Sequence, residues 1–249
     1  IVVSIFLGSG LCGLWGIFDI MWLLLIMAMF AFIGFIDDVM AIVFKTNKGL
    51  SVSNKFILQI LFSFIVVFIW AYYVEGFSLL LVLIYSLIMT GASNATNLTD
   101  GLDGLLGGSM VISLLGMLIV GWCVFPSYIL IFIAVMIMVV LAFLIFNVYP
   151  AKVFMGDTGA LMMGAVLTGL ALIFGNIWIL LPFGFVYVIE TVSVILQVTW
   201  FKRTHQRLFL MAPLHHHFEK LGVSESSVVY VFWIFGAVGV VVGCCYFFI

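Results

Sequence analysis

The sequence predicts an all-α, polytopic membrane protein, and three observations carry that expectation. Of its 249 residues, 67% are hydrophobic and 7% are charged, where a water-soluble domain runs about 45–50% apolar and about 25% charged; mean hydropathy is +1.44. The apolar residues fall into nine runs, each long enough for a helix and most able to approach a bilayer crossing of roughly 20 residues. All eight Lys and Arg side chains fall on one side of the barrier those runs define.

Polar punctuation sets each element. The first run, 1–13, stops at the segment 14–19, and the second, 20–36, is closed by Asp37-Asp38. The third, 56–74, follows Lys55 and ends at 75–76; the fourth, 77–93, ends at Asn94. The fifth, 104–125, starts after Asp103, and Pro126 separates it from the sixth, 127–148. The segment 149–157 precedes the seventh, 158–175, and Asn176 precedes the eighth, 177–200, which Glu190 interrupts. After the long segment 201–226 comes the ninth, 227–249. No ten-residue alternating pattern suggests a β-barrel, and no repeat or soluble insert breaks the chain, so residues 1–249 read as a single integral-membrane domain.

Counting helices alternately places 37–55, 94–103, 149–157 and 201–226 on one face, together with every cation: Lys45, Lys48, Lys55, Lys152, Lys202, Arg203, Arg207 and Lys220. By the positive-inside rule that face is cytoplasmic. Seven of the ten acids and all four histidines share it, which that rule does not require and an active face would explain. A net charge of −2 offers no basic surface for nucleic acid. Cys12, Cys123, Cys244 and Cys245 lie in apolar runs without CxxC spacing, so neither a disulfide framework nor a zinc site is expected. The chain opens Ile-Val-Val without Met, and residues 1–13 read as the back end of a helix, so an N-terminally truncated chain is expected.

Four polar constellations stand out on that face. Asp37-Asp38 sits where the second helix is expected to end, and there the macrodipole and mutual repulsion both disfavour carboxylates. A cation or a proton-accepting role answers both penalties. Asn94, Asn97, Asp100 and Asp103 recur at three-residue spacing, which would put them on one face of a helical turn; caps and turns are the bland alternative. In Asn147-Val-Tyr-Pro-Ala-Lys-Val-Phe154-Met-Gly156-Asp157-Thr158-Gly159, Asp157 suits either an N-cap or a metal-bound phosphate. His215-His216-His217 follow Pro213 and precede Phe218-Glu219; three consecutive imidazoles cannot face one way, so a zinc site built from all three is not expected. Glu190 inside the eighth run reads equally as a functional group and as a hydrogen-bonded kink. Hard oxygen ligands with few thiols suit Mg²⁺ and phosphates, hence phosphoryl chemistry at the membrane boundary.

These motifs, in this order, resemble the polyprenyl-phosphate N-acetylhexosamine-1-phosphate transferases over essentially the whole chain. Ile189-Glu-Thr-Val-Ser-Val-Ile-Leu-Gln197 and Pro213-Leu-His-His-His-Phe-Glu219 look like the branch that transfers phospho-N-acetylmuramoyl-pentapeptide. The resemblance implies ten helices, the first absent here, and the reaction of UDP-MurNAc-pentapeptide with undecaprenyl phosphate to give lipid I and UMP. It implies Asp37 as a candidate base toward the lipid phosphate, Asp38 as an essential carboxylate, and Asp157 as a Mg²⁺ ligand. Asp100, Asp103, Asn147 and Phe154 would lie near the nucleoside, with Asn94, Asn97, Lys48 and Lys55 as further substrate contacts. His215, His216 and His217 would close over the diphosphate and sugar. A bacterial inner-membrane enzyme with a cytoplasm-facing site, and a second copy of the chain as candidate partner, complete what the resemblance implies.

Departures are expected to matter. The family's first helix and Gly-rich cytoplasmic motif are not in this chain, Ala41 stands where Lys is usual, and Ala160 stands where Ser is common. Low activity is therefore expected of the chain alone. A bend in the eighth run near Glu190 is expected to open a groove for the lipid tail. Competing readings are a sister transferase using UDP-GlcNAc, an ion-coupled transporter and an inactive remnant. The transporter suits midplane acids in repeats, whereas these acids lie at one face.

Overall fold

The computed structural model describes residues 1–44, 49–75 and 78–248. Among them are eleven α-helices and no strand: α1 (Val2–Leu11), α2 (Phe18–Val43), α3 (Val52–Trp70), α4 (Leu79–Thr99), α5 (Leu105–Gly121), α6 (Ser127–Asn147), α7 (Gly156–Ile173), α8 (Leu180–Phe183), α9 (Phe185–Thr204), α10 (Leu214–Lys220) and α11 (Glu225–Phe248). Seven of these, α2, α3, α4, α6, α7, α9 and α11, are long and apolar enough to cross a membrane, and α1 and α5 are shorter apolar helices. The nine apolar runs thus become nine apolar helices, α1 to α7, α9 and α11. The additional α8 and α10 are short.

α7 is the hub, packed between α2 and α4, and 78% of its residues are buried. Apolar side chains gain little by leaving lipid for one another, so membrane helices associate through close backbone approach and interhelical hydrogen bonds. α7 supplies Ala160-xxx-Gly164 and Ala165-xxx-Gly169 for this. A Cβ on Gly164 would stand 2.2 Å from the Ala92 carbonyl oxygen of α4, and one on Gly34 of α2 would stand 2.2 Å from the Asp157 carbonyl oxygen. Hydroxyls add the polar ties: Ser93 donates to the Leu161 carbonyl at 3.0 Å and Thr96 to the Ala160 carbonyl at 2.8 Å. These contacts seat the polar N-terminus of α7 against the ends of α2 and α4.

Three expectations need correction. α2 runs on to Val43 and α4 to Thr99, so Asp37-Asp38 and Asn94 to Asn97 lie within terminal helical turns rather than in loops. The long segment 201–226 contains α10, which carries the His triplet. The eighth run is broken, but at Gly184 between α8 and α9, and α9 continues unbroken through Glu190. Pro182 lacks an N–H donor and interrupts the ladder there, while the Ser193 hydroxyl bonds back to the Glu190 carbonyl at 2.6 Å without parting the helix. The break still leaves an apolar cavity of about 250 Å³ between α4, α7, α8 and α9, lined by Ala92, Ala95, Gly164, Leu181, Tyr187 and Val188 among others.

Candidate active site

Asp38 answers the electrostatic penalty the sequence posed. Its Oδ1 accepts the Asp157 backbone N–H at 3.2 Å; its Oδ2 accepts the Thr158 N–H at 3.0 Å and the Thr158 hydroxyl at 2.6 Å. The carboxylate therefore sits on the positive N-terminal end of α7, where unpaired N–H groups and the macrodipole both favour an anion. Gly156 admits it: its φ is +65°, and a Cβ there would fall 2.9 Å from Asp38 Oδ2. Asp157 is not itself the N-cap; the α2 carboxylate caps α7 in its place.

Freed from capping, the Asp157 side chain gathers two partners. Lys55 of α3 pairs closely with it, and Asn97 of α4 donates to its Oδ1 at 2.7 Å. Lys55 Nζ also lies 3.5 Å from Asp37 Oδ2, while Asp37 Oδ1 accepts the Leu50 N–H at 2.6 Å. One ammonium thus stands between carboxylates of α2 and α7.

Two cavities flank this cluster, the first mainly polar and the second mainly apolar with polar groups in its wall. The first, about 310 Å³, is lined by Asp38, Asn97, Asp100, Asp103, Phe154 and Asp157, together with Gly101 and Asn147. The second, about 640 Å³, is lined by Asp37, Leu50, Lys55, Gln59 and Asn94 among others. Asn94 therefore does not share a cavity with Asn97, Asp100 and Asp103, despite the three-residue spacing. Its amide donates instead to Gln59 Oε1 at 2.9 Å and the Thr90 carbonyl at 2.8 Å, which turns it toward α3. Lys48 lies outside the described residues.

Around the first cavity, several polar groups hold loops. Asn147 is buried, donating to the Val153 carbonyl at 2.9 Å and accepting the Gly104 N–H at 3.2 Å. Asp103 Oδ2 accepts the Ala151 N–H at 2.8 Å, and its own N–H goes to Glu225 Oε1 at 2.9 Å. Phe154, by contrast, is 73% exposed on the cavity wall, as a face for stacking a planar ring would be. The parts sequence reasoning missed are these supports, Gln59 and Glu225 with Thr158: Glu225 and Thr158 each read alone as an ordinary residue of a first helical turn, and Gln59 as a lone polar residue inside an apolar run.

Asp100 carries the site's clearest electrostatic signature. Burial, followed by the nearby charges of Asp157 and Asp38, pushes its carboxyl up to about 7. A carboxyl raised on folding favours the fold while protonated, and that contribution disappears as pH rises through about 7. We expect the melting temperature in detergent to fall between about pH 5 and 8, and Asp100→Asn to flatten that slope. An equal slope in the variant would assign the titration elsewhere.

The three imidazoles do diverge. His215 is fully buried beside Glu190, His216 Nδ1 lies 2.6 Å from Glu219 Oε2, and His217 Nδ1 accepts the Leu210 N–H at 3.1 Å. Gln197 ties down the same segment, accepting the Leu208 and Phe209 N–H groups at 3.0 and 2.8 Å. None of the three histidines lines either of these two cavities.

No cluster of three His, Cys, Asp or Glu side chains is gathered to hold a metal among the described residues. Mg²⁺ does not require one, since it binds through one or two carboxylates plus water and substrate phosphates. Asp157 and Asp100 offer hard oxygens to one cavity, and their mutual repulsion, felt in the raised Asp100 carboxyl, is what a bound cation would relieve. The donor set fits.

The family described as glycosyl transferase family 4 matches residues 20–175, which span α2 to α7. The phospho-N-acetylmuramoyl-pentapeptide-transferase of Listeria monocytogenes serotype 4b is 39% identical over 241 residues, covering 90% of this chain and 74% of its own length. Its namesake from Oceanobacillus iheyensis is 40% identical over 236 residues, 88% of this chain and 72% of that one. That from Geobacillus thermodenitrificans is 40% identical over 228 residues, 85% and 69%.

Proposed function

The chain belongs to glycosyl transferase family 4 and, within it, to the phospho-N-acetylmuramoyl-pentapeptide transferases, and from that premise we propose how it acts. It transfers phospho-MurNAc-pentapeptide from UDP-MurNAc-pentapeptide to undecaprenyl phosphate, releasing UMP and forming lipid I for peptidoglycan. The observation that carries the residue assignment is the Asp37–Lys55–Asp157–Asn97 cluster between the two cavities.

In this reading the nucleotide occupies the cavity of Asp100, Asp103, Asn147 and Phe154, and the acceptor phosphate enters from the Asp37 side. An acceptor oxygen bonds to the sugar-bearing phosphorus, the bond from that phosphorus to the UMP oxygen breaks, and UMP leaves with the electron pair. Asp37 takes any proton the acceptor phosphate still carries, and Lys55 offsets charge along the phosphoryl path. Mg²⁺, held by Asp157 with Asp100 beside it, would neutralise the diphosphate and favour departure of UMP. The apolar cavity by the α8–α9 break suits the prenyl chain, since Thr96 on its wall is the chain neighbour of Asn97. Segregated cations support a cytoplasm-facing site in the bacterial inner membrane.

The test is UMP release from UDP-MurNAc-pentapeptide and undecaprenyl phosphate by nanodisc-embedded protein, with and without Mg²⁺. Release that needs both substrates and the metal is expected. Release from UDP-GlcNAc instead would move the chain to the sister specificity, and silence with both donors would make it a catalytically inactive relative.

A further inference from the structure

Two groups that the proposed chemistry does not use, Glu190 and His215, lie together against the turn at Gly101. α9 is largely exposed along its length, yet Glu190 within it is fully buried. A carboxylate in such a place is costly unless it is paired and hydrogen-bonded. Its partner comes from α10. Glu190 Oε1 accepts the His215 backbone N–H at 3.2 Å, and Oε2 lies 3.2 Å from His215 Nδ1. His215 is itself at 0% exposure.

The other edge of the imidazole meets the turn between α4 and α5. A Cβ on Gly101 would lie 2.3 Å from His215 Nε2, so the turn can approach the ring only because residue 101 has no side chain. Among the described residues neither ring nitrogen, nor Glu190 Oε2, makes a hydrogen bond; the backbone N–H of His215 supplies the one hydrogen bond to the Glu190 carboxylate, and the ring contributes close contact on both edges. The same turn carries Asp100 and Asp103 onto the nucleotide-side cavity. A ring wedged between a fixed carboxylate and a glycine turn transmits the position of one to the other. A proton on Nδ1 would face that carboxylate across 3.2 Å, which is how the pair can fix the ring's tautomer and orientation together.

We propose that Glu190 is a positioning residue which, through His215, holds the Asp100–Asp103 turn in place and so sets binding of the UDP-linked donor. The proposal deepens the transferase reading above and rests on it. It also assigns His215 to the support of the site, in place of direct contact with diphosphate and sugar.

Glu190→Gln keeps the side chain's shape and an acceptor for the His215 N–H while removing its charge, so it is the variant of choice over Glu190→Ala. Glu190→Gln, His215→Gln, the double variant and Gly101→Ala are compared with the parent chain in nanodiscs, each checked by thermal melting. Each single variant is expected to raise the KM for UDP-MurNAc-pentapeptide about tenfold and to change the KM for undecaprenyl phosphate less than about twofold. The double variant should be no worse than the worse single one, since the two residues act as a unit. Additive losses, equal changes in both KM values, or a lower melting temperature with unchanged KM values would each overturn the proposal, the last by making the pair merely structural. A second measurement does not depend on turnover: ¹⁵N imidazole spectra, with the His215 signals assigned by their loss in His215→Gln. Protonated Nδ1 is expected in the parent and a changed pattern in Glu190→Gln; an unchanged pattern refutes the coupling. If the parent releases no UMP, the transferase reading and the donor claim fail together, and the spectra still decide whether Glu190 governs His215.

Discussion

Asp157→Asn is expected to lower UMP release by at least about 10³-fold while leaving the protein folded. The substitution is nearly isosteric, and the backbone N–H of residue 157 stays bonded to Asp38, so the start of α7 keeps its cap. The Asn97 amide can still donate to the remaining carbonyl oxygen. What disappears is the charge. Lys55, now without its closer partner, is left with Asp37, 3.5 Å away. An ammonium drawn fully onto Asp37 ties up the carboxylate proposed to take the acceptor's proton, and the cavity loses its principal hard anion for a metal-bound diphosphate. One change therefore removes a candidate ligand and disables a candidate base. Single-turnover UMP release in nanodiscs, with melting curves as the control for folding, checks it. A variant retaining more than about a tenth of the parent rate would remove Asp157 from the chemistry.

The same residues show what the sequence could and could not disclose. Helices were legible because lipid imposes a simple rule: every backbone polar group must be satisfied within the segment, so apolar runs of sufficient length become helices. The gathering of polar groups at one face was legible for a related reason, since charges are tolerated only near the boundary. Pairwise geometry was hidden. Asp38 looked misplaced because its partner, the N-terminus of α7, lies about 120 residues further along the chain. Asn94 looked equivalent to Asn97 because spacing reports a helical face but not which neighbouring helix claims each side chain. Glu190 suggested a kink because an intramembrane acid demands a partner; the partner proved to be His215 on another helix, and the break belonged to Pro182 and Gly184. In each case the residue type announced an unmet electrostatic need, and only the tertiary structure shows where it is met.

Asp38→Ala is expected to reduce both stability and activity, and the two losses should move together. Among the described residues, the three hydrogen bonds at the Asp38 carboxylate all end on residues 157 and 158. Its removal leaves two N–H groups at the start of α7 unpaired, a loss of about 1–3 kcal/mol by analogy with other N-caps and buried donors. Catalysis then suffers indirectly: a first turn free to shift by about 1 Å carries Asp157 with it, and a displacement of that size costs on the order of 10²-fold in rate. Asp38→Asn keeps one carbonyl oxygen to accept from this turn and should fall between Ala and the parent in both melting temperature and UMP release. That gradation separates positioning from chemistry. If Asp38 took part directly in proton or phosphoryl transfer, Asn and Ala would be equally inactive while only Ala melted early. A rate that tracks the melting temperature across the parent, Asn and Ala is the outcome this geometry requires, because here the carboxylate's hydrogen bonds go to the helix that carries Asp157.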